Sequence, residues 1–182
     1  MPADRREAYY DERLRKSGQC YANFDMPSAE IALSLLYTCD VFQQLVSRYM
    51  AEFGLSKSTL NILAILRHGP EEGMQLHDLG ELLLVSRANI TGLIDHLEGK
   101  ELVKRIVDSH DRRARLARIT KKGQALLDEF MPIHFRNIRT LLEGLTVEDK
   151  AALARLLKGL RASLAKNADA LLPASVDPYR AL

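Results

Sequence analysis

The sequence predicts an α+β fold that is mainly α, with long amphipathic helices around a central lobe closed by one β-hairpin. Three observations predict it. Apolar residues recur at three- and four-residue steps through most of the 182 residues, the period of a helix with one buried face. Two short runs, 102–107 and 115–120, are rich in branched aliphatic residues and are separated by the polar stretch Asp108-Ser109-His110-Asp111-Arg112-Arg113-Ala114, the pattern of a hairpin. Charge is uneven: from Ser86 to Lys122 there are ten Lys and Arg against five Asp and Glu, a net of +5 that leaves −3 for the rest of a chain totalling +2. A basic middle between near-neutral or acidic ends is the footprint of a phosphate-binding lobe, with a solvated basic face as the plainer alternative.

In chain order, residues 1–27 read as a polar arm with room for a short helix, carrying Tyr9, Tyr10, Tyr21 and Phe24 and ending at Pro27. Ser28 is the expected N-cap of a long helix through Ile31, Leu35, Leu36, Phe42, Leu45, Val46 and Tyr49 to Gly54. A second helix starts near Ser56, carries Leu60, Leu63, Ala64 and Leu66, and stops at His68-Gly69-Pro70. After Gly73 come two short helical patterns, from Leu76 to Leu83 and from Ser86 to near Glu98, with a tight turn at Leu84-Val85. Ser86 can accept from the first-turn amides of the later helix, and Ile90, Leu93, Ile94 and Leu97 give that helix one packing face. Arg87, Asn89, Thr91, Asp95 and His96 lie around its other faces. Beyond the hairpin, Thr120 can cap a helix through Leu126, Leu127 and Phe130, which Pro132 should bend. Thr146 with Asp149 resembles a capping box, and opens a last helix through Leu153, Leu156, Leu157, Leu160 and Leu164. An irregular tail with Pro173 and Pro178 follows.

Composition narrows the function. Hydrophobic residues make up 47% of the chain, enough to fill a core. The two cysteines, Cys20 and Cys39, are too few for a disulfide framework and lack zinc-pair spacing, so inert reduced thiols are expected. Met1-Pro2-Ala3-Asp4-Arg5-Arg6-Glu7 lacks the apolar run of a secretion signal, and a cytoplasmic location is expected. There is no glycine-rich phosphate loop, no His-Glu-x-x-His and no Gly-x-Ser-x-Gly, and His68, His77, His96, His110 and His134 are scattered. No enzyme, metal or cofactor is expected.

Short helix, tight turn, capped helix and basic hairpin form the order of a winged helix-turn-helix lobe. A helix with small and polar residues at its N-terminal end can enter the major groove, where Arg-to-guanine and Asn-to-adenine pairs distinguish bases. Arg87 and Asn89 suit that role. A hairpin tip can place an arginine in the minor groove, and Arg112 and Arg113 are the candidates. Ser86, Thr91, Lys104, Arg105 and Lys121 are expected on phosphate, which sets register without reading sequence.

The segment from Leu76 to Thr120 resembles the DNA-binding lobe of the MarR family. The resemblance rests on Val85-Ser86-Arg87 opening the recognition helix, Asp108 to Arg113 in the wing and Ile119-Thr120-Lys121-Lys122-Gly123 leaving it. With Thr146-Val147-Glu148-Asp149 and the final leucine-rich helix, it covers roughly residues 28–166. The resemblance implies a homodimeric DNA-binding transcriptional regulator, usually a repressor on a pseudo-palindromic operator. The chain is expected to divide into an arm (1–27), a helical dimerisation region (28–54 and 123–172), the winged lobe (55–122) and a tail (173–182). The resemblance also puts Arg113 in the minor groove and shares Arg112 between DNA and Asp108.

Family members usually release DNA when a small aromatic or phenolic acid lodges between the dimer helices and the lobe. Here that points to Tyr37, Arg48, Tyr49, Asn61, Arg67, His68 and His134. Urate is not the expected ligand, because the chain has no tryptophan and carries Asn61 near the place of the aspartate in the urate-responsive branch. Where the family often has glycine before the first wing strand, this chain has Glu101, so a different end to the recognition helix is expected. Two rival readings are a cysteine-based redox-sensing regulator of the same fold, through Cys39 or Cys20, and a helical protein-interaction module without DNA binding.

Overall fold

The computed structural model describes residues 5–21, 23–107 and 115–171, in two compact units that meet at residues 56 and 57. The first unit holds α1 (Arg5–Cys20) and α2 (Met26–Glu52). The arm is therefore a sixteen-residue helix packed on α2, with Leu14 buried and the Tyr10 ring 5.9 Å from that of Tyr37. The cap of α2 is Asp25 and not Ser28: the Asp25 carboxylate accepts from the Ser28 N–H at 3.0 Å. Pro27 then falls in the first helical turn, where its missing N–H costs nothing.

The second unit contains α3 (Lys57–His68), β1 (Met74–Gln75), α4 (Leu76–Leu83), α5 (Arg87–Gly99), β2 (Val103–Val107), β3 (Arg115–Ile119), α6 (Lys121–Leu141) and α7 (Val147–Leu171). Strand β1 is a correction to the sequence reading, which had only the hairpin. The strands form one antiparallel sheet in the order β1-β3-β2, with Met74 opposite Ala117 and Arg105 also opposite Ala117. Gly73 makes the turn into β1 at φ +105, with the Ala117 carbonyl so close that a Cβ would clash.

The core gathers one face from each of several elements: Ile62 and Leu63 of α3, Leu79 of α4, Ile90, Ile94 and Leu97 of α5, Val103, Ala117, and Leu127 and Phe130 of α6. Burying each large aliphatic or aromatic side chain of this set contributes about 1.5–3 kcal/mol. Helix α6 leaves the sheet at Thr120, whose hydroxyl accepts from Gly123 N–H at 3.1 Å and donates to the Glu101 carbonyl at 2.7 Å. Gly123 is required there because a Cβ would run into the Leu102 carbonyl oxygen and Ile119. The helix continues unbroken through Pro132. At the head of α7 the Thr146 hydroxyl accepts from Asp149 N–H at 3.1 Å while the Asp149 carboxylate accepts from Thr146 N–H at 3.2 Å. That reciprocal pair is the expected capping box.

Candidate nucleic-acid interface

Helix α4 ends at Leu84 in the left-handed region, φ 53, with Val85 N–H donating to Gly80 O at 3.0 Å. The chain turns within two residues and Ser86 caps α5, its hydroxyl accepting from Asn89 N–H at 3.3 Å. This cap leaves the Ser86 hydroxyl proton free for an acceptor. With Ile90, Ile94 and Leu97 buried, the opposite surface of α5 carries Arg87, Ala88, Asn89, Thr91, Gly92, Asp95 and His96, all exposed. Nothing stands within 4 Å of a Cβ at Gly92, and the Thr91 hydroxyl bonds back to Arg87 O at 2.9 Å. Ala88 and Gly92 therefore form a low, open centre to this face, flanked by Arg87 on one side and Asn89 and His96 on the other. The helical period alone assigns Ala88 and Gly92 to that surface, although the sequence reading singled out only its polar members.

Helix α5 ends as a glycine-terminated helix would. Glu101 occupies the left-handed position at φ 61, Leu102 N–H donates to Leu97 O at 3.0 Å, and Glu101 N–H donates to Glu98 O at 2.8 Å. The expectation of a different terminus is corrected: the glutamate takes the glycine's conformation and pairs with Lys122 at 2.7 Å, a contact that lowers its pKa. Non-glycine residues at positive φ thus bracket the turn and helix on both sides.

On the sheet, Lys104 and Arg115 are exposed, and Lys121 is exposed at the start of α6. Arg118 donates to the Glu71 carbonyl at 3.3 Å. Arg105, expected on phosphate, turns the other way: its guanidinium lies 2.6 Å from both Asp95 and Glu98 of α5. Its backbone N–H donates to Glu98 at 2.9 Å, and that bond leads the interactions that hold the Glu98 carboxyl below its ordinary value. Strand alternation carried the signal, since Arg105 shares the period-two face of buried Val103. Arg112 and Arg113, with Asp108, lie outside the described residues.

The seven ligand candidates divide between the units. Tyr37, Arg48 and Tyr49 belong to the first; Tyr37 and Tyr49 are half-buried, and burial raises the Tyr49 phenol pKa. In the second, Asn61 and His68 are exposed, and Arg67 pairs with Asp128 at 2.5 Å. His134 stacks on Phe130 with ring centroids 5.4 Å apart, and burial lowers its pKa. A groove of the second unit lies elsewhere, between α4 and α5, against His77, Glu81, Leu84 and Arg87. Cys20 and Cys39 are both free thiols and both exposed. Among the described residues, no group of three His, Cys, Asp or Glu could hold a metal, and no helix is long and apolar enough to cross a membrane.

A model of the MarR family matches residues 53–114, a stretch that holds α3 through β2. The HTH-type transcriptional repressor YetL of Bacillus subtilis is 30% identical over 149 residues, covering 82% of this chain and 89% of that protein. The chain belongs to the MarR family. Two solved structures share its winged helix-turn-helix fold. AbsC, a MarR family transcriptional regulator from Streptomyces coelicolor, superimposes with a TM-score of 0.71 at 22% identity, over 80% of this chain and 99% of its own. The S. aureus MepR–DNA complex gives 0.67 at 22% identity, over 73% and 97%. As a MarR-family transcriptional regulator the chain has its family match centred on the lobe whose α5 face is exposed, and YetL extends the likeness across most of its length.

Proposed function

We propose that this MarR-family regulator binds a pseudo-palindromic duplex as a homodimer, acts as a repressor, and leaves DNA when a small aromatic or phenolic acid binds. The observation that carries the DNA reading is the outward face of α5, which offers Arg87 and Asn89 beside the open surface at Ala88 and Gly92. Such a face can approach a groove floor closely, and bidentate contacts from its N-terminal turn distinguish bases. Ser86, Thr91, Lys104 and Lys121 are assigned to phosphate, and Arg112 and Arg113 to the wing tip. Arg105 is withdrawn from that set because its guanidinium is engaged by two carboxylates.

Dimerisation is supported by apolar side chains left in water: Ile31 and Leu36 on α2, Phe135 on α6, and Leu156 and Leu164 on α7 are all more than half exposed. Large apolar side chains exposed on several amphipathic helices in this way suit an interaction surface. The repressor and ligand assignments follow the family, and YetL is itself named a repressor. A ligand that releases DNA must bind the DNA-incompetent spacing of the two recognition helices more tightly than the competent one. The exposure of Cys20 and Cys39 favours a second reading, release by oxidation at a thiol.

The test is selection of duplexes from a randomised pool, followed by titration with aromatic acids and, separately, with peroxide. Arg87→Ala should alter which base pairs are selected, at about 1–3 kcal/mol for a bidentate contact. Failure of the wild-type chain to retain any duplex at low salt would favour the protein-interaction reading. Release by peroxide that disappears in Cys39→Ser or Cys20→Ser would replace the ligand by an oxidant.

A further inference from the structure

On α5 the residues Thr91, Asp95 and Glu98 follow one another at spacings of four and three, and so form one stripe along the helix. A single residue of β2 touches all three. Arg105 Nη1 lies 2.6 Å from Asp95 Oδ1 and 2.6 Å from Glu98 Oε2, Nη2 donates to the Thr91 carbonyl at 3.3 Å, and the Arg105 backbone N–H donates to Glu98 Oε1 at 2.9 Å. Arg105 is the middle residue of β2, paired opposite Ala117 of β3, so the guanidinium projects from a strand fixed in the sheet. The arginine side chain is 24% exposed, and Asp95 is 60% exposed.

This arrangement answers two physical problems of a groove-reading helix. Two carboxylates on its flank would repel phosphate, and the guanidinium offsets that charge within hydrogen-bond distance. The helix also needs a fixed rotation about its own axis if its first turn is to meet base edges while the wing engages the adjoining groove. A planar fork touching three successive turns supplies that constraint, whereas an ammonium acts as a point charge.

We propose that Arg105 is a positioning residue for DNA recognition: by bridging Thr91, Asp95 and Glu98 it locks the rotation of α5 against the first wing strand, without itself contacting DNA. This rests on the DNA-binding reading above and adds to it the element that couples helix and wing. Arg105 acts through the orientation of Arg87 and Asn89, so its loss reduces discrimination between sequences more than it reduces attraction to DNA.

The test uses the full chain with Arg105→Lys, Arg105→Met and Asp95→Asn. Affinity is measured across a salt series for a duplex selected by the wild type and for a random duplex. Amide hydrogen exchange of residues 91–98 is followed in the DNA-free protein. Arg105→Lys keeps the charge but not the fork, and should lose about tenfold on the selected duplex with little change on the random one. Its salt slope should stay at the wild-type value, and exchange in 91–98 should quicken. Asp95→Asn removes one leg of the bridge at an exposed position, should retain the fold, and should show a smaller loss of the same kind, so the test stands even if Arg105→Met does not fold. Equal losses on both duplexes in Arg105→Met, with a slope reduced by about one unit and Arg105→Lys behaving as wild type, would make Arg105 a phosphate contact and overturn the proposal. Unchanged discrimination in all three variants would also overturn it. A wild-type chain that binds no duplex would sink the DNA reading and this proposal together, a result distinct from equal loss on two duplexes.

Discussion

Helices α5 and α7 are written in the same amphipathic code but end in opposite situations. The apolar stripe of α5 is sealed, with Ile90 and Ile94 at 0% and Leu97 at 1% exposure, whereas on α7 Leu153 stands at 43%, Leu156 at 59% and Leu164 at 56%. The first stripe meets α4, the sheet and α3 within its own chain and completes a core around the recognition helix. The second has no such cover among the described residues. Periodicity thus announces that a face will be buried, but not whether the burial is intramolecular. Here the two answers correspond to the two tasks of the proposed function: a rigid reading head, and a surface that doubles it.

The largest effect should come from breaking the sealed side. Ile94→Ala leaves a cavity beneath the recognition helix and should destabilise the protein by about 2–5 kcal/mol in chemical unfolding. The same truncation on α7, Leu156→Ala, should cost far less in an isolated chain. A charge there is the sharper probe: Leu153→Glu with Leu156→Glu should shift the protein from dimer to monomer in sedimentation, because an unpaired carboxylate in an apolar contact is costly. Far-UV circular dichroism should stay close to wild type. If the variant remains a dimer, α7 is not at the interface and the comparison loses its second half.

How much of this was legible depended on how local the chemistry was. The Ser86 cap, the Thr120 cap and the Thr146–Asp149 box are each decided within four residues, and each is present as read. Strand β1 was not legible, since a two-residue strand exists only through its pairing with β3 and has no period of its own. The cap of α2 lies three residues before the expected Ser28; Pro27 looks like a terminator, although proline is at home in a first turn. In the candidate site, the exposed positions of Arg87 and Asn89 followed from the apolar stripe opposite them. Arg105 was misjudged because a basic residue in a basic hairpin looks like a phosphate contact. Strand alternation puts it on the face of buried Val103, and its partners Asp95 and Glu98, ten and seven residues away, show that its charge is used internally.

Smaller effects sharpen the account of the sealed lobe. Leu84 holds a left-handed conformation at the turn before α5 and is 65% exposed. Leu84→Gly should raise stability by about 1 kcal/mol in denaturant titration, because the left-handed penalty vanishes and little packing is lost. An unchanged midpoint would mean that the leucine makes compensating contacts. The smallest effect is a pH dependence at His134, whose folded pKa is depressed below 6.5 by burial against Phe130. The unfolded chain then binds the proton more readily, so this contribution is fully present above the unfolded pKa and is lost as pH falls through that value towards the folded one. His134→Gln should flatten the stability profile below pH 6.5. A profile that keeps its slope would assign it to other groups.

The central claim is that two copies of α5 read two half-sites of one duplex. Hydroxyl-radical footprinting of the wild-type chain on its selected duplex tests it most directly. The account predicts two protected patches of equal depth, related by two-fold symmetry, with centres separated by one helical turn, about 10–10.5 base pairs, or a multiple of it. A single uninterrupted patch without symmetry, or protection that survives Arg87→Ala and Asn89→Ala unaltered, would contradict it.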